Sequence, residues 1–290
     1  MKATGKDVYR LADGRRVPYV TCWSAEKVLP GRIVRHPRRA GIAYPDEVRT
    51  DRDIERALWV RQGLGRGGGE PVMAGVHPLR QRQCMADNAC QVCGHPAVLD
   101  QRGYVFLMRS PSGVPVREGE RTVAPPVCAG CVPEAVRDCP PLARGFVAAH
   151  VGSYEFWGIA GIIHDPHTLS PLPHDVAEPL PQVAFEDPRF CWTLAARVVV
   201  SLRDVTPLSV EDLLSLCADQ PPRTASPVDE ALAAHPAFNA PLDDPLAGPQ
   251  AEALLADAIF GPGTAQVIAT RSGSSRAADH CSASTPEDIA

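Results

Sequence analysis

Long apolar runs are missing from this sequence. Nothing in it approaches the roughly 18–20 consecutive apolar residues that a bilayer-spanning helix needs. The segment ahead of Arg15-Arg16 also lacks the apolar core, about 7–15 residues, of a secretory leader. These absences predict a soluble, cytoplasmic protein. Aromatic residues are few, 6% of the chain, and lysine is rarer still, so nearly all basic charge is arginine. Catalytic signatures are missing as well. Gly63–Gly69 is glycine-rich but has no Lys-Ser/Thr of a phosphate loop, and Gly152-Ser153 lacks the flanks of a nucleophile elbow. No histidine occurs between residues 96 and 127. There is no internal repeat.

What the chain has in excess is proline, 30 of 290 residues, about twice average usage. Runs such as Pro125-Pro126, Pro140-Pro141 and Pro221-Pro222 break regular structure, so strands and helices must be short. Ten cysteines without a leader point to a reducing compartment, where thiols bind metal or pack rather than pair. Charge is lopsided. Residues 1–150 carry 23 Lys and Arg against 15 Asp and Glu, and residues 151–290 carry 6 against 19. Arginine suits bidentate phosphate contacts. A basic half joined to an acidic half fits a nucleic-acid surface with a solvating tail, or simply a solvated arginine-rich surface.

These features predict an α+β protein of short antiparallel strands and few helices around a treble-clef-like four-cysteine zinc module. Four segments are expected: a basic, strand-rich region at 1–76, the zinc module at 77–141, a β-hairpin plus helix unit at 142–219, and an acidic, Pro/Ala-rich disordered tail at 220–290. Within them, Pro18–Trp23, Ile42–Tyr44 and Pro71–Val76 read as strands, and Ala57–Val60 as strand or helix. His77–Asn88 reads as a helix with Arg80 and Arg82 exposed and Leu79 and Met85 inward. Ser110-Pro-Ser-Gly113 reads as a hairpin turn between Tyr104–Met108 and Val114–Val116. A second hairpin is expected to turn at Gly152-Ser153, between Phe146–Val151 and Tyr154–Ile163, and Gln182–Phe185 adds a strand. Asp187-Pro188 looks like the start of a helix over 189–203, because Phe190, Leu194, Val198 and Leu202 recur at helical spacing. Ser209–Cys217 reads as a last short helix with Ser209 and Asp212 in a cap pattern.

The strongest signal is Cys90-Gln-Val-Cys93-Gly with Cys128-Ala-Gly-Cys131. Two thiolates two residues apart can reach one tetrahedral ion, and Gly94 permits the tight turn behind them. Cys131 falls at the start of an expected helix (131–138, Pro133 in its first turn), where the helix N-terminus favours thiolate. The 34 intervening residues hold a hairpin and a loop, so the order is that of a treble clef. Four thiolates fill a tetrahedron, which makes Zn2+ a structural cofactor here. A redox dithiol is the weaker rival, since neither pair lies in a βαβ context. Cys84, Cys139 and His95 are accessory candidates. Cys22, Cys191 and Cys217 read as core, and Cys281 has no assignable role.

Taken together, His77-Pro-Leu-Arg-Gln-Arg-Gln-Cys-Met85, the two Cys pairs, Pro125-Pro126 and Cys139-Pro140 resemble a group of uncharacterised zinc-binding proteins of high-GC bacteria and their phages, over about residues 15–205. The knuckle is also similar to that of HNH endonucleases. That resemblance implies an Asp-His pair between the two Cys pairs. Here the corresponding position reads Leu99-Asp100-Gln101, with glutamine where the general base belongs. The resemblance thus implies a zinc scaffold without its catalytic residues.

Other clusters are thinner. His164-Asp165-Pro-His167, with His150, could form a second metal or acid–base site, but also reads as an ordinary turn. Arg35, Arg38 and Arg39, within Arg32–Arg39, and Arg80 and Arg82 are candidate phosphate contacts. The leading expectation is a non-enzymatic, zinc-stabilised binding protein whose partner is nucleic acid or a nucleic-acid-associated protein. Alternatives are a divergent HNH-like nuclease recruiting His95, His150 or His164, and a scaffold acting through the acidic tail.

Overall fold

The computed structural model describes residues 2–3, 8–29, 31–99, 103–139, 141–173 and 180–218. The expected disordered tail at 220–290 lies outside the described residues. Within them the protein is mixed α+β with few helices. The strands in chain order are β1 (Lys2–Ala3), β2 (Tyr9–Arg10), β3 (Thr21–Trp23), β4 (Val34–Arg35), β5 (Ile42–Ala43), β6 (Leu58–Trp59), β7 (Pro71–Val76), β8 (Tyr104–Arg109), β9 (Arg121–Thr122), β10 (Phe146–Ile163), β11 (Gln182–Ala184) and β12 (Thr193–Leu208). The helices are α1 (Pro78–Ala86), α2 (Val132–Asp138) and α3 (Val210–Ala218). None of these helices is long and apolar enough to cross a membrane.

Two compact units emerge, and each is stitched from separate stretches of chain rather than from the consecutive blocks 1–76, 77–141 and 142–219. One unit holds the described residues up to Lys27, Leu64–Phe156 and those from Val200 to Ala218; the other holds Val28–Gly63 and Trp157–Val199 with their described residues.

In the first unit β3 pairs antiparallel with β7, β8 with β10 from Phe146 to Val151, and β9 with β12 at Val200 and Ser201. Helix α1 begins where His77 is extended and Pro78 takes the first turn, a position whose N–H would be unbonded in any case. It ends at Ala86, and two residues on Asn88 adopts φ 53°, a left-handed conformation asparagine tolerates better than most residues. Asn88 is held there by the Tyr154 hydroxyl, which donates to its Oδ1 at 2.8 Å. Met85 points inward as expected, but Arg80 does not point out. Its guanidinium is buried and donates to both carboxylate oxygens of Glu26 at 2.7 Å and to the Thr21 carbonyl at 2.8 Å. Arg82 is half-buried. Glu26 also accepts the N–H of Trp23 at 2.9 Å and of Gly65 at 3.2 Å. The glycine-rich loop therefore faces a carboxylate, which is the wrong charge to cradle phosphate.

The second unit is smaller. β4 and β5 form a short antiparallel hairpin, β6 runs parallel to β12 at Leu194 and Ala195, and β11 pairs antiparallel with β10 at Gly158–Ala160. Its core is Ile42, Tyr44, Leu58 and Trp192. Arg61 stacks 4.1 Å from the Tyr44 ring centroid while its guanidinium bonds Asp51 and Asp46.

Three expectations are corrected. Residues 189–203 are not helical: a 3-10 turn at Phe190–Trp192 leads straight into β12. The misleading cue was a spacing of four, which fits a helical face and also returns to the same face of a strand with period two. The β-branched run Val198-Val199-Val200 and its sheet neighbours decide for strand. Asp187 still caps, but as a turn, accepting the Arg189 N–H at 2.8 Å. Second, Phe146–Ile163 is one continuous strand with no turn at Gly152-Ser153. Gly152 is there for space, since a Cβ on it would sit 2.8 Å from the Asp204 Cβ. Third, the 110–113 turn forms, with the Gly113 N–H on the Ser110 carbonyl at 3.1 Å. Residues 114–116 nonetheless form no strand, and β8 pairs with β10 instead. Ser209 caps α3 as expected, with reciprocal bonds to Asp212 at 3.1 Å.

Breaking the Glu26–Arg80 pair from one side strands a buried charge. Glu26→Gln should cost about 3–5 kcal/mol in urea unfolding. Burial alone would raise the Glu26 carboxyl from its ordinary 4.5, but the Arg80 bonds outweigh it and hold the group lower. Its contribution is therefore full above pH 4.5 and lost as pH falls through the lowered folded value. The stability difference between wild type and Glu26→Gln should shrink over that acid range.

Candidate metal centre

The first Cys pair is built by the chain leaving α1. After left-handed Asn88, Ala89 bridges Pro96, the Cys90 N–H donates to the His95 carbonyl at 2.7 Å, and the Gly94 N–H donates to the Cys90 carbonyl at 2.7 Å. Gly94 has φ 74°, a conformation costly for other residues. The Val92 N–H points at the Cys90 Sγ, 3.4 Å away. The second pair follows Val127, whose N–H donates to Val105 of β8 at 2.8 Å. Ala129–Cys131 makes one 3-10 turn with Cys131 bonded back to the Cys128 carbonyl at 2.9 Å, and Cys131 then caps α2, with Pro133 in its first turn.

Together these segments bring Cys90, Cys93, Cys128 and Cys131 to one point. Their sulfurs all lie within 4.8 Å of one another and all four residues are buried. Cys93 and Cys128 are 3.7 Å apart. Sulfurs arranged tetrahedrally about an ion at about 2.3 Å are separated by about 3.8 Å, so the spacing suits a shared metal and is far too long for a disulfide. Four thiols this close cannot all ionise unaided. Hydrogen bonding with Cys128, then with Cys90, together with burial, pushes Cys93 and Cys131 far above the usual thiol range. Burial would raise Cys90 too, but hydrogen bonds from Cys128, Cys131 and Cys93 outweigh it and pull it well down. A divalent cation bound among the four sulfurs would supply the charge to ionise them together.

A strap that sequence reasoning missed ties the two pairs together. The N–H groups of Tyr19 and Val20 donate to the carbonyls of Val92 and Gln91 in the knuckle, at 3.0 and 3.2 Å. Three residues earlier, the Arg16 N–H donates to Asp138 near the end of α2 at 2.9 Å, and its guanidinium bonds Glu134 in the first turn at 2.9 Å. The same guanidinium lies 3.7 Å from the Cys131 Sγ. Arg10 adds a second cation on Glu134 at 2.6 Å. The knuckle also bonds directly to the approach of the second pair, through Gln91 to the Pro125 and Pro126 carbonyls. The Arg15-Arg16 doublet was visible in the sequence, but nothing local linked it to cysteines more than seventy positions away.

The accessory candidates stay outside the cluster. Cys84 is buried, its Sγ 3.8 Å from the Cys90 carbonyl, and burial pushes its thiol well up. Cys139 ends α2. His95 contributes its carbonyl to the knuckle. Among the described residues no other group of three or more His, Cys, Asp or Glu could hold a metal. Asp165 is spent on a turn, accepting the His167 and Thr168 N–H groups at 2.8 and 2.7 Å. Nearby His164 is buried, with Nδ1 on the Ile162 carbonyl.

The remaining arginines sit on the β4–β5 hairpin of the second unit. His36 closes its turn onto the Gly41 carbonyl at 2.8 Å. Arg35 is exposed, bonds the Pro166 carbonyl and stacks 5.3 Å from the Trp192 ring. Arg32 and Arg38 are exposed, and among the described residues they make no ion pair; Arg39 is half-buried. Burial first, then the charges of Arg39 and Arg52, lower the His36 pKa.

Comparison with protein-family models, curated proteins and solved structures finds no match to this chain. The resemblances raised by the Cys pairs therefore rest on those residues alone. Cys90→Ser and Cys131→Ser should each abolish stoichiometric divalent-metal binding in a thiol titration with and without metal. Cys84→Ala and Cys139→Ala should leave the stoichiometry unchanged.

Proposed function

We propose that this chain is a zinc-stabilised, non-enzymatic binding protein of the cytoplasm, whose arginine-rich N-terminal half contacts nucleic acid or a nucleic-acid-associated partner. The observation that carries the first half is the buried convergence of Cys90, Cys93, Cys128 and Cys131. An all-sulfur set favours a soft or borderline ion, and zinc is the common structural choice. Four protein ligands leave no open position for water or substrate, so the ion would hold the fold together without doing chemistry. The knuckle followed by a pair at a helix start supports a treble-clef-like reading of the module. None of the described cysteines is in a disulfide.

The second half rests on the β4–β5 hairpin. Arg32 and Arg38 present charges that no carboxylate among the described residues neutralises, whereas Arg52, Arg61 and Arg80 are committed to internal ion pairs. Exposed, unneutralised arginines can displace condensed counterions from a phosphate backbone. Arg80, buried against Glu26, has no part in this surface.

Plasma mass spectrometry of protein purified without added metal should find one zinc per chain, and none after Cys90→Ser with Cys128→Ser; no zinc in the wild type removes the zinc reading. Fluorescence anisotropy with a short DNA duplex should show affinity falling steeply with salt. Arg32→Ala with Arg38→Ala should weaken binding and flatten the salt slope by about 1–2, given about 0.9 per phosphate contact. Absence of binding at low salt would sink the nucleic-acid half.

A further inference from the structure

Tetrathiolate coordination of a divalent ion leaves two negative charges in a site almost closed to water. Such charge is costly to bury unless cations or N–H donors meet it. Arg16 is a cationic side chain that donates to one of the four sulfurs, that of Cys131. It is itself buried, 5% exposed, held by Glu134 on one side and by its own backbone bond to Asp138 on the other. Its place is thus set by both ends of α2, the helix that Cys131 caps.

We propose that Arg16 is a positioning and charge-balancing residue of the four-cysteine centre, donating to the Cys131 sulfur and stabilising it as a thiolate ligand. This rests on the reading of the cluster as a metal site. Glu134 and Arg10 then orient and tune Arg16 rather than acting on the metal themselves. Partners of this kind typically change metal affinity by about 10–100-fold.

The test loads the full-length apo protein with cobalt(II), whose sulfur-to-metal charge-transfer band reports the thiolates directly, and measures affinity by chelator competition. Arg16→Gln should lower cobalt affinity about 10–100-fold. It should also move the band to longer wavelength, because a sulfur that loses an N–H donor gives up charge more easily. Glu134→Gln should do markedly less. Unchanged affinity and band in Arg16→Gln would overturn the proposal, as would a Glu134→Gln variant matching it in both, since Arg16 would then act only as partner to Glu134. If Arg16→Gln does not fold, Arg16→Lys is read instead: a displaced band is expected and an unshifted one overturns the role. A wild type that binds no cobalt would refute the metal site itself, a result distinct from a loaded wild type indifferent to Arg16.

Discussion

Four buried thiols within 4.8 Å of one another set the constraint that organises the first unit. As thiols they are poor hydrogen-bond partners for each other, and as thiolates they repel. A cation at their centre would relieve that conflict, and the surrounding structure fixes the four sulfurs where one could bind. Gly94 turns behind one pair, α2 starts at the other, and the strap from Arg16 to Val20 bonds to both. The sulfurs lie in an apolar cluster with Val105, Val127, Val132 and Leu213.

The arginines divide by whether a carboxylate reaches them. Arg80 is paired with Glu26 through its two terminal nitrogens, and Arg61 with Asp51 and Asp46. Buried pairs of this kind contribute less net stability than their geometry suggests, because desolvation offsets most of the attraction, but they penalise any alternative packing that separates them. Arg38 lies in the turn of the β4–β5 hairpin, which offers no acid, and Arg32 lies just ahead of β4, and that leaves their charge available to a partner. A composition rich in arginine therefore produces both interior cross-links and a small basic tip.

Much of the local structure was legible. Strand 71–76, helix α1, helix α2 with Cys131 at its start, and the Ser209–Asp212 cap all depend on short-range rules: a proline at a first turn, a side chain bonding the backbone three residues on, a glycine where φ is positive. The long strands were not legible. In β12 a spacing of four satisfied two periodicities at once, and in β10 a glycine needed for close approach to Asp204 imitated a turn. The exposure of Arg80 failed for another reason, since its partner is 54 positions away.

By itself the sequence determined which residues could bind a metal, because two thiols two residues apart can reach one ion through local chain geometry alone. It also determined that helices would be short, because proline interrupts their hydrogen bonding, although strands β10 and β12 escape that limit at 18 and 16 residues. Only the tertiary structure decided that the two pairs meet, that Arg16 stands beside Cys131, and which arginines keep an unpaired charge. Those outcomes depend on bonds between segments tens of residues apart, and no local propensity encodes where a distant carboxylate or sulfur will come to rest.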